Sequence, residues 1–242
     1  LSTADFSGID EVVASAMEDE GCGQISVSLP SLRVDAFTVG IAAQIQKARR
    51  TGLTFAPEAG TWRLRTVINK LITEDDLYSA VESAYSQGWA RMKLYFLIGL
   101  PSETDEDTLG ILELARQCVE IGRAHHRSPS VTVSVGGFVP KPFTPFQWFG
   151  QNTEAELRRK VGLLRDGAKK LRGVRLKWHD PAASIIEGLL SRGDRRLGRV
   201  IEDVWSNGGV FQEWSEHFDP KLWESALERH GLSLEDQVYR HR

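Results

Sequence analysis

The sequence predicts an α/β fold in which successive strand–helix units build a partial (βα) barrel, open on one side, followed by a helical extension. Three observations lead there. In residues 91 to 107, RMKLYFLIGLPSETDED, a β-rich run ends at Gly99, passes through Leu100-Pro101 and meets a helix start loaded with Glu103, Asp105, Glu106 and Asp107. A strand, a tight turn and an acidic helix start form the βα unit of a parallel sheet. Apolar, β-branched runs recur at 25–29, 53–55, 92–98, 131–139 and 174–178, spaced about 28 to 43 residues apart, as consecutive βα units require. The stretches between these runs carry helical periodicity.

Taken in order, residues 35 to 49 put Phe37, Ile41, Ala42 and Ile45 on one face. Glu58 lies at the carboxyl end of the strand run beginning at Leu53, and a helix begins near Thr61. Residues 73 to 87 open on Thr73 and Asp76, a capping box with Asp in place of Glu. Residues 104 to 121 align Ile111, Leu114, Ala115 and Cys118 in one stripe. Residues 153 to 172 open on a second box, Thr153 with Glu156. The prolines of 141 to 148 predict an extended segment. Asp180-Pro181 and Asp219-Pro220 each pair an N-cap with proline at the first helical position, so helices are expected at 181–191, 196–207 and 220–230. The expected organisation is therefore a barrel over 1–179 and a helical extension over 180–242 packed on it.

Composition bounds the function. A length of 242 residues, 41% hydrophobic and 26% charged, suits a globular chain with a full core. No apolar run approaches the roughly 18 residues of a membrane span. Two distant cysteines, Cys22 and Cys118, suit a reducing cytoplasm and a structural role. No phosphate-binding P-loop, nucleophile elbow or G-x-G-x-x-G opening a helix is present. The six histidines show no metal-binding spacing; His125 and His126 are adjacent, and only His179 falls at a strand end. Residues 158 to 177 hold nine Lys/Arg against Asp166 alone. That run is a solvated face, an interface with an acidic domain, or a contact to RNA phosphates.

Four short motifs occur in order: Arg33-Val34-Asp35, Glu58-Ala59-Gly60, Ile68-Asn69-Lys70 and Gly99-Leu100-Pro101-Ser102-Glu103-Thr104. In this order the chain resembles the core of radical S-adenosylmethionine (SAM) enzymes, in the branch often linked to cobalamin-binding domains. The resemblance covers residues 24 to 145 and, more loosely, the rest. It implies a (βα)6-type TIM-like barrel and reductive cleavage of SAM at a 4Fe-4S cluster, giving a 5′-deoxyadenosyl radical that acts on an unidentified substrate. Cobalamin is a candidate further cofactor, and a reductant serves the intact enzyme. The family holds its cluster with three cysteines on one loop, which two separate cysteines cannot supply. The expectation is therefore a fragment that has lost its first βα unit, with the upstream domain as a partner, and that is inactive alone.

The resemblance also implies a cofactor-binding set. Ser2 and Thr3 match the second-strand segment beside the SAM amino group. Arg33 either holds the methionyl carboxylate or pairs with Glu58 or another acid. Glu58 either accepts from SAM or caps the helix near Thr61. Gly99 and Leu100, with Phe138, Val139 and Pro140, line the adenine side or pack the core. Ser102 and Glu103 read as helix-capping residues. A non-catalytic barrel that binds a nucleotide-like ligand or a protein partner is the alternative, and an unrelated hydrolase or lyase using Glu58 and His179 is a third reading.

Overall fold

A computed structural model describes residues 53–241, together with Gly8, Glu11, Val12 and Ser15. The expected strand at 25–29, the expected helix at 35–49 and the candidates Ser2, Thr3 and Arg33 lie outside the described residues. The fold is α/β, with a four-stranded parallel sheet in the order β1-β2-β3-β4: Leu53–Glu58, Arg91–Ile98, Ser130–Gly137 and Val174–Trp178. Helices α1 (Trp62–Val67) and α2 (Glu74–Ser86) follow β1, α3 (Asp105–Arg123) follows β2, and α4 (Glu154–Ala168) follows β3. After β4 come α5 (Pro181–Arg192), α6 (Leu197–Ser206), α7 (Pro220–Arg229) and a π-helical turn at Glu235–Tyr239. Among the described residues no helix is long and apolar enough to cross a membrane.

The chain forms two compact units. The first takes in the described residues up to Phe96, then 104–135 and 163–177. Alternation along β1 and β2 buries Leu53, Phe55, Leu94 and Phe96, and β3 adds Val131, Val133 and Val135. Leu77 and Val81 of α2 and the predicted stripe of α3, Ile111, Leu114, Ala115 and Cys118, are buried with them. Each such aliphatic or aromatic side chain contributes about 1.5–3 kcal/mol when removed from water. The predicted caps at Thr73 and Thr153 operate, the Thr153 hydroxyl accepting from the Glu156 N–H at 3.3 Å, and Thr104 acts as a further cap. The Thr73 hydroxyl accepts from the Asp76 N–H, the Thr104 hydroxyl accepts from the Asp107 N–H, and each aspartate accepts from the threonine N–H in return. Helices α2 and α3 pack side by side.

The second unit comprises 97–103, 136–162 and 178–242. Here Asp180 and Asp219 cap α5 and α7 as predicted, accepting from the N–H of Ala182 and Lys221 at 3.0 Å each. Helix α5 packs on α7 and the π-helical turn, and α6 packs on α7. Arg192 is buried, and its guanidinium donates to the main-chain carbonyls of Gln147, Phe149, Gln237 and Arg240. The expectation of an extended 141–148 is corrected, because this segment is a series of turns. Phe143 takes a left-handed φ of 62° while the Thr144 hydroxyl donates to the Lys141 carbonyl at 2.7 Å. Proline's fixed φ suits a turn corner as well as an extended strand, and Pro142 precedes such a corner.

Candidate functional site

Glu58 ends β1 in an unusual way. Between Phe55 and Glu58 the pairing with β2 slips, so three steps along β1 match two along β2, from Leu94 to Phe96. Such a bulge turns a strand end and re-aims its side chain. Glu58 then adopts a φ of 71°, a left-handed conformation rarely taken by a residue bearing a Cβ. Its half-buried carboxylate lies 3.7 Å from the Lys70 ammonium. Burial raises the pKa of Glu58 above the usual carboxylate value, and the Lys70 charge offsets part of that rise. The ion pair joins two of the four motifs, Glu58-Ala59-Gly60 and Ile68-Asn69-Lys70. Asn69 is itself left-handed, at φ 56°.

The alternative role for Glu58, capping the next helix, is not what the geometry shows. Thr61 is the N-cap of α1, its hydroxyl accepting from the Leu64 N–H at 3.3 Å. Two arginines and an aspartate brace the loop behind Glu58. Arg65 is fully buried, donating to the carbonyls of Ala59 at 3.2 Å and Ile72 at 2.7 Å, and it pairs with Glu74. Asp107, in the first turn of α3, accepts from Arg63, from the Thr61 hydroxyl and from Thr104. Burial pushes the Asp107 pKa up, but these hydrogen bonds outweigh burial and hold it down to about 2. Gly60 fits because the loop lies against α3, where a Cβ would come within 2.2 Å of the Asp107 carbonyl oxygen.

In the second unit the Gly99-to-Glu103 turn is closed on itself. Gly99 has a φ of 81°, and a Cβ there would press on Leu157 at 2.8 Å. Glu103 does not cap α3; Thr104 does. Its carboxylate folds back and accepts from the N–H of Gly99 and, at 3.1 Å, from that of Leu100. The Glu103 N–H donates to the Leu100 carbonyl at 3.1 Å, and the Asn152 amide donates to the Gly99 carbonyl at 3.1 Å. Ser102, also expected to cap, instead takes a φ of 62° that lets the chain double back. The main-chain polar groups of Gly99 and Leu100 are thus already bonded, and the turn offers a ligand shape and apolar contact rather than hydrogen bonds.

Behind the turn, the side chains of Lys160 and Glu103 are only 3% and 1% exposed, with the ammonium 3.6 Å from the carboxylate. Phe138 donates its N–H to the Ile98 carbonyl at 2.8 Å and stacks edge-on against Phe146, with ring centroids 5.8 Å apart. Val139 and Pro140 are buried. Among the described residues the Val139 N–H makes no hydrogen bond.

The adjacent histidines have structural partners. His125 lies 2.6 Å from a Glu82 carboxylate oxygen and His126 lies 3.2 Å from the Tyr85 carbonyl. His179 is exposed at the end of β4. Cys118 is buried, and its thiol is pushed up to about 12 by that burial. The basic run is partly internal, since Lys160 is buried while Arg158, Arg159, Arg165 and Lys169 pair with nearby acids. Sequence reasoning missed Lys70 as the partner of Glu58, and missed Arg65, Asp107, Asn152 and Lys160. A signal existed for Lys160, which occupies the apolar stripe formed by Leu157, Val161 and Leu164. Asn152 had none.

No family model matches this sequence. Over 201 residues, 83% of the chain, it is 31% identical to an uncharacterized protein of Methanocaldococcus jannaschii. The match covers 42% of that relative, so the chain spans less than half of the relative's length.

Proposed function

We propose that this chain is the greater part of a radical SAM core, in the branch associated with cobalamin-binding domains, and that its parallel sheet belongs to a (βα)6-type TIM-like barrel. The observation that carries the reading is Glu58: a re-aimed, half-buried carboxylate at a strand's carboxyl end, tied by Lys70 to the next motif. Ligands of parallel α/β folds bind at that end of the sheet. Glu58 would accept a hydrogen bond from the SAM ammonium or a ribose hydroxyl, while the Lys70 charge favours its ionised form and Arg65 fixes the loop carrying it. Val139, with a main-chain donor to offer, and apolar Phe138 and Pro140 suit an adenine edge; Gly99 and Leu100 would supply contact alone. Ser2, Thr3 and Arg33 remain in the proposal on the resemblance.

The residues of this chain do not fit a 4Fe-4S cluster. It has two cysteines, and among the described residues no group of His, Cys, Asp and Glu forms a metal site. Cluster, reductant and any cobalamin would belong to the parent protein, whose proposed reaction is reductive SAM cleavage followed by hydrogen abstraction from an unidentified substrate, in the cytoplasm. The cysteine count also favours a second reading, a non-catalytic barrel that binds a nucleotide-like ligand or a protein partner. Calorimetric titration of SAM into the chain tests the shared part of both. Binding should be measurable, and Glu58→Gln should weaken it by about 1–3 kcal/mol through loss of a charged hydrogen bond. Unchanged affinity in a folded Glu58→Gln protein would remove Glu58 from the site. Formation of 5′-deoxyadenosine by the anaerobically reconstituted full-length gene product separates the two readings.

A further inference from the structure

A cleft of about 480 Å³ opens in the second unit at the start of α6, lined by Arg195, Arg196, Arg199, His230 and Leu232. None of the SAM-directed candidates lines it. Its volume is in the range of small-molecule sites, about 300–1,000 Å³. The positive charge there is only partly compensated. Asp194 takes Arg196 in a two-pronged pair at 2.9 Å, and Asp203 takes Arg229 at 2.8 Å and His230 at 3.1 Å. Among the described residues Arg195 and Arg199 close no ion pair, although Arg195 lies near enough to Asp194 to help lower its pKa.

We propose that this cleft binds the phosphate or pyrophosphate group of a small phosphorylated molecule. Arg195 and Arg199 present planar forks that match phosphate oxygens in pairs, and Leu232 gives an apolar contact for the organic part, while the His230 ring is held by Asp203 at the cleft wall. The positive surface is compact, not a track. Along α6 the next exposed charge after Arg199 is Glu202, and Glu213 and Glu216 follow in the loop beyond. An extended nucleic-acid backbone would meet those acids after one or two phosphates, whereas a single phosphate or diphosphate group would not reach them.

Calorimetry at low ionic strength, with inorganic pyrophosphate as the probe, tests the assignment. One-site binding is expected, at least about tenfold weaker in Arg195→Ala/Arg199→Ala and intermediate in Arg195→Lys/Arg199→Lys, which keeps the charge but not the fork. A nucleoside diphosphate titrated in parallel identifies the source of the group: tighter binding than pyrophosphate marks a nucleotide, equal binding marks free diphosphate. Arg172→Ala/Arg175→Ala, which removes two exposed arginines outside the cleft, should leave binding unchanged. Absence of pyrophosphate binding, or an equal loss in that control, overturns the proposal. So does preference for a short oligoribonucleotide with a steep salt dependence.

Discussion

Asp107 accepts from Arg63, Thr61 and Thr104, and its behaviour with pH follows from that. Its folded pKa lies at about 2, below the ordinary 3.8. The stabilisation is therefore complete above about pH 4 and is lost as pH falls from there towards 2, and it amounts to about 2 kcal/mol. Asp107→Asn should be less stable than the parent at neutral pH, and the gap should close between pH 4 and pH 2 in urea titrations. A gap constant with pH would mean that the amide replaces the carboxylate fully. Lys160 presents the opposite hazard, a buried charge set against the buried Glu103 carboxylate, with Glu156 4.0 Å away. Lys160→Met should cost about 3–5 kcal/mol by taking the ammonium away from the buried Glu103 carboxylate, which stays bonded to the N–H groups of Gly99 and Leu100, and adding Glu103→Gln should recover much of it. At this scale the sequence was half legible. Glu58 stood out because a motif and a strand end coincided. Lys70, Asn152 and Asp107 acquired their roles only when loops distant in sequence came together, and no local pattern encodes that.

Elements were easier to read because their ends are chemically marked. Thr73, Thr104, Asp180 and Asp219 begin helices where the sequence predicts, since each offers an oxygen to otherwise unbonded N–H groups two or three residues on. Thr104→Ala should destabilise the chain by about 1 kcal/mol, with amide exchange at the start of α3 rising first. The bulge in β1 and the π-helical turn at Glu235–Tyr239 were not foreseen, because both add or spread main-chain residues without changing the pattern of side chains. The Gly99 turn was legible as a turn but not as a closed one. Gly99→Ala combines a left-handed φ with a clash on Leu157, and it should lower stability by more than the ~1 kcal/mol that the backbone conformation alone would cost. A neutral effect in a melting experiment would show that Leu157 moves aside.

At the scale of the molecule, the α/β class and the parallel sheet follow from the spacing of apolar runs, because parallel neighbours require a long crossover. Arg192 was invisible in that reading, a lone arginine at the end of an amphipathic helix. It nevertheless ties two loop carbonyls to two near the carboxyl terminus, and Arg192→Met should cost about 3–5 kcal/mol in urea unfolding of the whole chain. Cys118 offers a way to time the first unit. Only a thiolate is alkylated readily, and burial on α3 with the thiol pushed up to about 12 leaves almost none at neutral pH. Iodoacetamide can therefore mark Cys118 only in the intervals when α3 lifts away. Where reclosing outruns the reagent, the marking rate relative to that of the urea-unfolded chain measures how often this happens, each factor of ten being worth about 1.4 kcal/mol. Mass spectrometry of the Cys118 peptide would read α3 as a clock, one that Thr104→Ala should quicken about fivefold.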